Sequence, residues 1–191
     1  LVFVFRGVRV FALVGGSGTG KSFRAKLVAE RHGIELLVDD GLLIHEQKIL
    51  AGRSAKREKG ILAAIGTALF ADEKHAESVR QVLSRTPFKR ILLIGTSEKM
   101  VRKIAKRLQL PHPTKIIRIE DVASREDIAA AIRSRRTEGK HIIPVPALEV
   151  KRSYPHIFLD SMKIFFKRRF QPMKSGNIIE KTVVRPEYSN R

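Results

Sequence analysis

The sequence predicts an α/β fold: a mostly parallel five-stranded sheet of strand order 2-3-1-4-5, with crossover helices between the strands. Three observations point there. Short apolar runs recur at Val8–Val14, Ile34–Val38, Arg90–Ile94, Lys115–Ile119 and His141–Val145. Segments with apolar residues at helical spacing separate them, the alternation expected of parallel strands joined by crossovers. The last run holds Pro144 and Pro146, which lack N–H donors and fit only at a sheet edge.

The apolar start "LVFVFRGVRVFALVGG" is broken by Arg6 and Arg9 and reads as the first strand, not as a signal peptide. "GKSFRAKLVAERHG" follows as a helix that ends at Gly33. Between the second and third strands lies a long insertion with "ILAAIGTALF" and "DEKHAESVRQVLSRT"; Asp72 suits an N-cap there and Pro87 a stop. "SEKMVRKIAKRLQLP" sets Met100, Val101, Ile104 and Leu108 at helical spacing and stops before Pro111. "SREDIAAAIRSRRTEG" opens on Ser124 with an acid three residues later, a capping-box pattern, and closes on Gly139. Prolines two residues apart turn both missing donors to one side, so the fifth strand is expected to end the sheet. These elements make one principal domain over residues 1–150. Residues 151–170 bring Ile157, Phe158, Met162, Phe165, Phe166 and Phe170 near one helical stripe, beside Lys167, Arg168 and Arg169. They read as a closing amphipathic helix. Residues 171–191 read as a linker or C-terminal tail toward a further domain or partner.

A chain of 191 residues can bury one sizeable core. It has no cysteine, which excludes a disulfide framework, a thiolate metal site and a thiol nucleophile. No apolar run approaches the ~20 residues that span a bilayer, so no transmembrane segment and a cytoplasmic location are expected. The charge is unusual: 38 Lys+Arg against 19 Asp+Glu give +19 and a pI near 10.8. Such a surplus attracts polyanions, whether nucleic acid, anionic lipid or nucleotides. Because the cations are scattered along the chain, the charge also fits a solvated basic surface.

The segment Gly15, Gly16, Ser17, Gly18, Thr19, Gly20, Lys21, Ser22 matches G-x-x-x-x-G-K-[ST] at every fixed position. Glycines let the backbone turn its N–H groups inward around phosphate oxygens, and the helix that follows points its N-terminal partial charge at the same anion. Lys21 supplies a point charge to the β- and γ-phosphates, and the Ser22 hydroxyl is a ligand for Mg²⁺. The expected ligands are therefore a nucleoside triphosphate, ATP or GTP, and Mg²⁺. At these residues the chain resembles the Walker-type P-loop NTPases, and in strand and helix pattern the nucleoside, nucleotide and shikimate kinase branch. The segment "RIEDVASRED…EGKHIIPVPALEVKRSYP" is similar to that of bacterial ATP-binding proteins. The resemblance implies a three-layer αβα P-loop fold.

In that family an acid stands after the strand beside the P-loop strand. Here the position reads Gly95, Thr96, Ser97, which departs from the pattern; Thr96 is left as a candidate γ-phosphate sensor. The other candidates are Asp39 and Asp40 in "ELLVDDGLL", at the carboxyl end of the second strand, where open α/β sheets bind ligands. The resemblance implies that an acid there holds Mg²⁺ or deprotonates an acceptor hydroxyl. The same residues also suit an ordinary Asp-Asp-Gly turn. Cations over the transferred charge are expected from a mobile segment. "AGRSAKREKG", with Arg53, Lys56, Arg57 and Lys59 between glycines, is the leading lid candidate, and Arg53 and Arg57 are its candidate catalytic cations. Arg133, Arg135 and Arg136 are a second set, with an equally good helix-dipole explanation. Asp160 reads as a helix cap. His45 and His75 match no triad or metal pattern and are expected to face solvent.

The function expected is Mg-ATP binding by a kinase-like fold, with phosphate transfer to an unidentified small acceptor. Two other classes stay open: a nucleic-acid-associated ATPase, and a nucleotide-responsive binding module with little turnover.

Overall fold

The computed structural model describes residue 5 and residues 7–46, 48–138, 142–146 and 178–182. The chain divides into two compact units, one built on Leu1–Ser17 and Lys21–Val122, the other on Gly18–Gly20 and Ala123–Ser189.

The larger unit holds strands β1 (Arg9–Val14), β2 (Leu36–Asp39), β3 (Leu42–His45), β4 (Lys48–Gly52), β5 (Arg90–Gly95) and β6 (Lys115–Arg118). Its helices are α1 (Lys21–His32), α2 (Ile61–Ala68), α3 (Glu73–Arg85) and α4 (Glu98–Arg107). The six strands form one sheet in the order β4-β3-β2-β5-β1-β6. β2, β5, β1 and β6 run parallel, and β3 and β4 add antiparallel at the β2 side.

β1 and β5 are central, so both their faces are covered and their sequences read as unbroken apolar runs instead of alternating ones. α1 packs Ala25, Val28 and Ala29 against Phe11, Leu13, Leu92, Ile94 and Ile117 on one face. The opposite face joins Val10, Ala12, Val14, Ile91 and Leu93 to Ala76, Val79 and Leu83 of α3 and to Val101, Ile104 and Ala105 of α4. Leu92 and Leu93 are fully buried on opposite faces, and truncating either to Ala costs ~2–5 kcal/mol on the usual scale of core cavities.

Local signals fix the helix ends. Gly33 adopts φ 57° after α1, and the Ile34 N–H reaches back to the Ala29 carbonyl at 2.9 Å, a Schellman ending. Asp72 accepts from the Lys74 N–H at 2.9 Å and starts α3. Ser97 accepts from the Met100 N–H at 3.3 Å and starts α4.

The strand order differs from the expected 2-3-1-4-5. The first four expected strands do lie side by side as second, third, first, fourth, but the sheet continues past the second strand through a hairpin. The pattern of apolar runs does not announce that hairpin. Asp40 and Gly41 form its two-residue turn with φ 49° and 87°, between the paired residues Asp39 and Leu42. Positive φ at both positions is the type I′ geometry that matches strand twist, and Asp-Gly is a leading sequence for it.

The smaller unit holds α5 (Arg125–Glu138), β7 (Ile142–Pro146) and β8 (Ile178–Thr182). Ser124 accepts from the Asp127 N–H at 3.1 Å, so the expected cap is present. The expected fifth strand is β7, but it pairs antiparallel with β8 in a two-stranded sheet of its own. Pro144 and Pro146 leave donors along one side only, and a single partner strand is what that allows. The expected closing helix over residues 151–170, with Asp160, lies outside the described residues, as do Gly139 and the side chains of Arg135 and Arg136. Among the described residues no helix is long and apolar enough to cross a membrane.

Candidate functional site

The parallel strands β2, β5, β1 and β6 all end on one edge of the sheet, so register decides what gathers there. Val14 is level with Gly95 of β5 on one side and with Arg118 of β6 on the other. The glycine loop therefore leaves β1 between two neighbouring strand ends. Gly15 donates its N–H to the Gly95 carbonyl at 3.3 Å, tying the loop's first residue to β5.

Along the loop, Gly18 and Gly20 adopt φ 83° and 86°, a backbone region that only glycine enters at no cost. Gly16, Ser17 and Ser22 are exposed, Thr19 is buried, and Lys21 is the first residue of α1. The Lys21 ammonium donates to the Gly16 carbonyl at 2.6 Å, so it folds back over the loop that precedes it. Loop, lysine and helix start thus stand in the order that phosphate binding requires.

Thr96 follows Gly95 directly and lies beside the loop's entry. Its N–H and hydroxyl both sit 3.4 Å from the Met100 sulfur. A Cβ at Gly95 would come within 2.7 Å of Val101, so close packing of α4 on β5 explains the glycine there.

Asp39 and Asp40 differ in role. Val38 is level with Leu93, which is level with Ala12. Asp39 is therefore one residue further on and two strands from β1, about 10 Å at ordinary strand spacing. Strand alternation puts Asp39 on the face of Leu37, the face that carries α1. Asp40 is the hairpin turn residue, and its carboxylate pairs with the Lys56 ammonium at 2.7 Å.

The segment between Gly52 and Gly60 folds against this turn. Its 3-10 turn, Ala55–Arg57, is capped by Ser54. The Ala55 N–H reaches the Asp40 carbonyl at 2.8 Å. Arg53 pairs with Asp72 at 2.7 Å, Thr67 donates to Glu58 at 2.7 Å, and Arg57 and Lys59 are exposed. Partial desolvation raises the Asp72 carboxyl, but the Lys74 and His75 N–H groups and Arg53 outweigh it and hold it below its ordinary value.

His75 corrects an expectation, because it is 4% exposed and does not face solvent. Its Nε2 lies 2.9 Å from both the Gly41 carbonyl and the Arg53 N–H. One tautomer donates to the carbonyl, the other accepts from the N–H. Nδ1 is buried with no hydrogen-bond partner, and the ring lies tilted on Phe70 at 4.7 Å. Burial, reinforced by Arg53, lowers its pKa, against the raising effects of the Gly41 carbonyl, Asp72 and Glu58. The missed signal was spacing: residues 75, 79 and 83 share one helical stripe with Val79 and Leu83. His45 is half-buried, and Arg133 is exposed on α5. Among the described residues no three His, Asp or Glu side chains gather into a metal-holding group.

Compared with known protein families, with curated proteins and with solved structures, the chain shows no match.

Proposed function

We propose that the chain binds a nucleoside triphosphate with Mg²⁺ at Gly15–Ser22, as a kinase-like P-loop protein of three-layer αβα architecture. One observation carries this reading: the loop with left-handed Gly18 and Gly20 runs from a central parallel strand into a helix that begins on Lys21. The donor set suits Mg²⁺, which keeps several waters and takes one or two protein oxygens besides the phosphates. Ser22 and Asp39 would hold it, and the metal would neutralise charge on the β- and γ-phosphates. Lys21 then turns from the Gly16 carbonyl to the anion. Asp39 is favoured over Asp40 as the acid, because Asp40 already serves the turn and Lys56. Phosphate transfer to a small acceptor is the reaction that follows if Asp39 takes the acceptor's proton.

A second reading has its own support. The end of β5 and the residues that follow read Gly95, Thr96, Ser97, with no acid, which favours a nucleotide-responsive binding module with little turnover. The +19 charge supports a third, a nucleic-acid-associated ATPase. Incubation with γ-labelled ATP, Mg²⁺ and candidate acceptors separates them. Label on a small acceptor supports transfer, and free phosphate released on addition of RNA or DNA supports the third reading. Tight binding with neither product supports the module, and absence of ATP binding removes all three.

A further inference from the structure

Among the described residues, the exposed large apolar side chains are Ile61, Leu62 and Ile65, at 81%, 85% and 49%, and all lie on α2. They fall at positions i, i+1 and i+4, within a stripe of about 100° at the N-terminal end of the helix. The other end of α2 is anchored: Thr67 and Ala68 are buried, and Thr67 is bonded to Glu58. The helix therefore holds an aliphatic tip outward on a fixed base. Cations precede it directly, with exposed Arg53, Lys56, Arg57 and Lys59, and Lys74 is exposed at the start of α3. Asp72 pairs with Arg53, Asp40 with Lys56 and Glu73 with Arg80, and Glu58 accepts from Thr67, so the exposed cations Arg57, Lys59 and Lys74 carry the local excess over Glu58. α2 starts on Gly60 without a side-chain cap, which adds the partial positive charge of a helix N-terminus to the same end.

We propose that this tip docks on an anionic phospholipid bilayer, with Ile61, Leu62 and Ile65 entering the acyl boundary and Arg57 and Lys59 at the headgroups. Aliphatic residues beside Lys and Arg are the composition that binds membrane interfaces. Each such cation near an anionic surface strengthens partitioning by roughly fivefold. Nucleic acid takes aliphatic side chains only at thymine methyl groups or as wedges between base steps, whereas a bilayer takes all three side chains of the tip at once. A second copy of the chain fits less well, because three side chains cover far less than the ~800 Å² per partner of a standard interface. The apolar tip lies outside the residues of the nucleotide reading, while Arg57 and Lys59 belong to the segment expected to close over a triphosphate.

The chain contains no tryptophan, so Ile61→Trp installs a single fluorescent reporter at the tip. Full chain is mixed with phosphatidylcholine vesicles, with or without phosphatidylserine, and bound protein is measured by flotation. The proposal expects binding only to the anionic vesicles and, in the Ile61→Trp variant, a blue shift of the indole emission. It also expects binding at least tenfold weaker for the double variant Ile61→Ser, Leu62→Ser. Equal binding by that variant would mean unspecific attraction of a basic protein and would overturn the proposal, as would no binding by the unaltered chain. A concentration-dependent dimer lost in the variant, without vesicle binding, would assign the tip to a second copy. A marked fall in Tm of the variant would show that the chain itself covers the patch. Either result would also overturn it.

Discussion

Consider the substitution Asp40→Asn, which replaces one carboxylate oxygen by an amide nitrogen at the tip of the β2–β3 hairpin. Asn-Gly serves a type I′ turn at least as well as Asp-Gly, so the backbone loses nothing. The change removes the ion pair to Lys56, whose side chains are 36% and 34% exposed. Pairs that wet are worth ~0–1 kcal/mol, so the expected cost is under ~1 kcal/mol. Gly41→Ala is the contrast. Its φ of +87° is left-handed, and a Cβ would meet the Arg53 carbonyl at 2.5 Å and the Thr67 carbonyl at 2.9 Å. The left-handed penalty of ~1–2 kcal/mol plus forced backbone movement brings the expected loss to roughly 3 kcal/mol or more. Guanidinium unfolding followed by circular dichroism measures both, and ATP turnover is assayed on the same preparations. Asp40→Asn should stay near the unaltered chain in stability and in turnover, whereas Asp39→Asn should stay folded and lose turnover, because an amide accepts no proton. An Asp40→Asn variant as unstable as Gly41→Ala would refute the turn argument. Full turnover in both Asn variants would leave the kinase reading without its acid.

Three further outcomes are expected. Burial holds the His75 pKa below its ordinary 6.5, so below that pH the unfolded chain takes a proton that the folded chain resists. Stability is therefore complete above about pH 6.5 and falls below it, and His75→Gln should flatten the fall in Tm; an unchanged pH profile would remove His75 as its source. His32 is shifted the same way, by burial first and then by Lys115, Arg31 and Arg90, so the flattening will be partial. Amides 53–59 should gain hydrogen-exchange protection when a non-hydrolysable triphosphate is added, and unchanged uptake would leave this segment a brace for the hairpin. Affinity for RNA or DNA should fall linearly with salt on a log–log plot and respond to ATP if it is functional; binding indifferent to ATP would mark it as adventitious.

The backbone of the glycine loop was legible because its residue types answer local demands: glycines for left-handed turns at Gly18 and Gly20, and Lys21 at a helix start. The central strands were legible because burial on both faces leaves unbroken apolar runs. What escaped depended on long-range packing. "DDGLLIHEQKILAG" suits an Asp-Asp-Gly turn, but β3 and β4, which continue the sheet beyond it, do not stand out as separate apolar runs. Helical spacing puts His75 on the stripe of Val79 and Leu83, but its partners Phe70, Gly41 and Arg53 come together only in the fold. β7 looked like the end of the main sheet because edge character was readable in Pro144 and Pro146, while the partner strand was not. The "GTS" that begins on the last residue of β5 shows the same limit: Gly95 answers to Val101 and Met100 of α4, contacts invisible in a local pattern.

The central claim rests on Lys21, whose ammonium lies on the Gly16 carbonyl at 2.6 Å and adds little to stability at its half-exposed position. Calorimetric titration of Mg-ATP into the unaltered chain and into Lys21→Ala, with Tm recorded for both, tests it directly. The account predicts one triphosphate bound per chain, an affinity reduced by about 30-fold or more in Lys21→Ala, as the loss of a charge-assisted contact of ~2–3 kcal/mol requires, and a nearly unchanged Tm. Equal affinities for the two proteins, or no heat of binding in either, would contradict it.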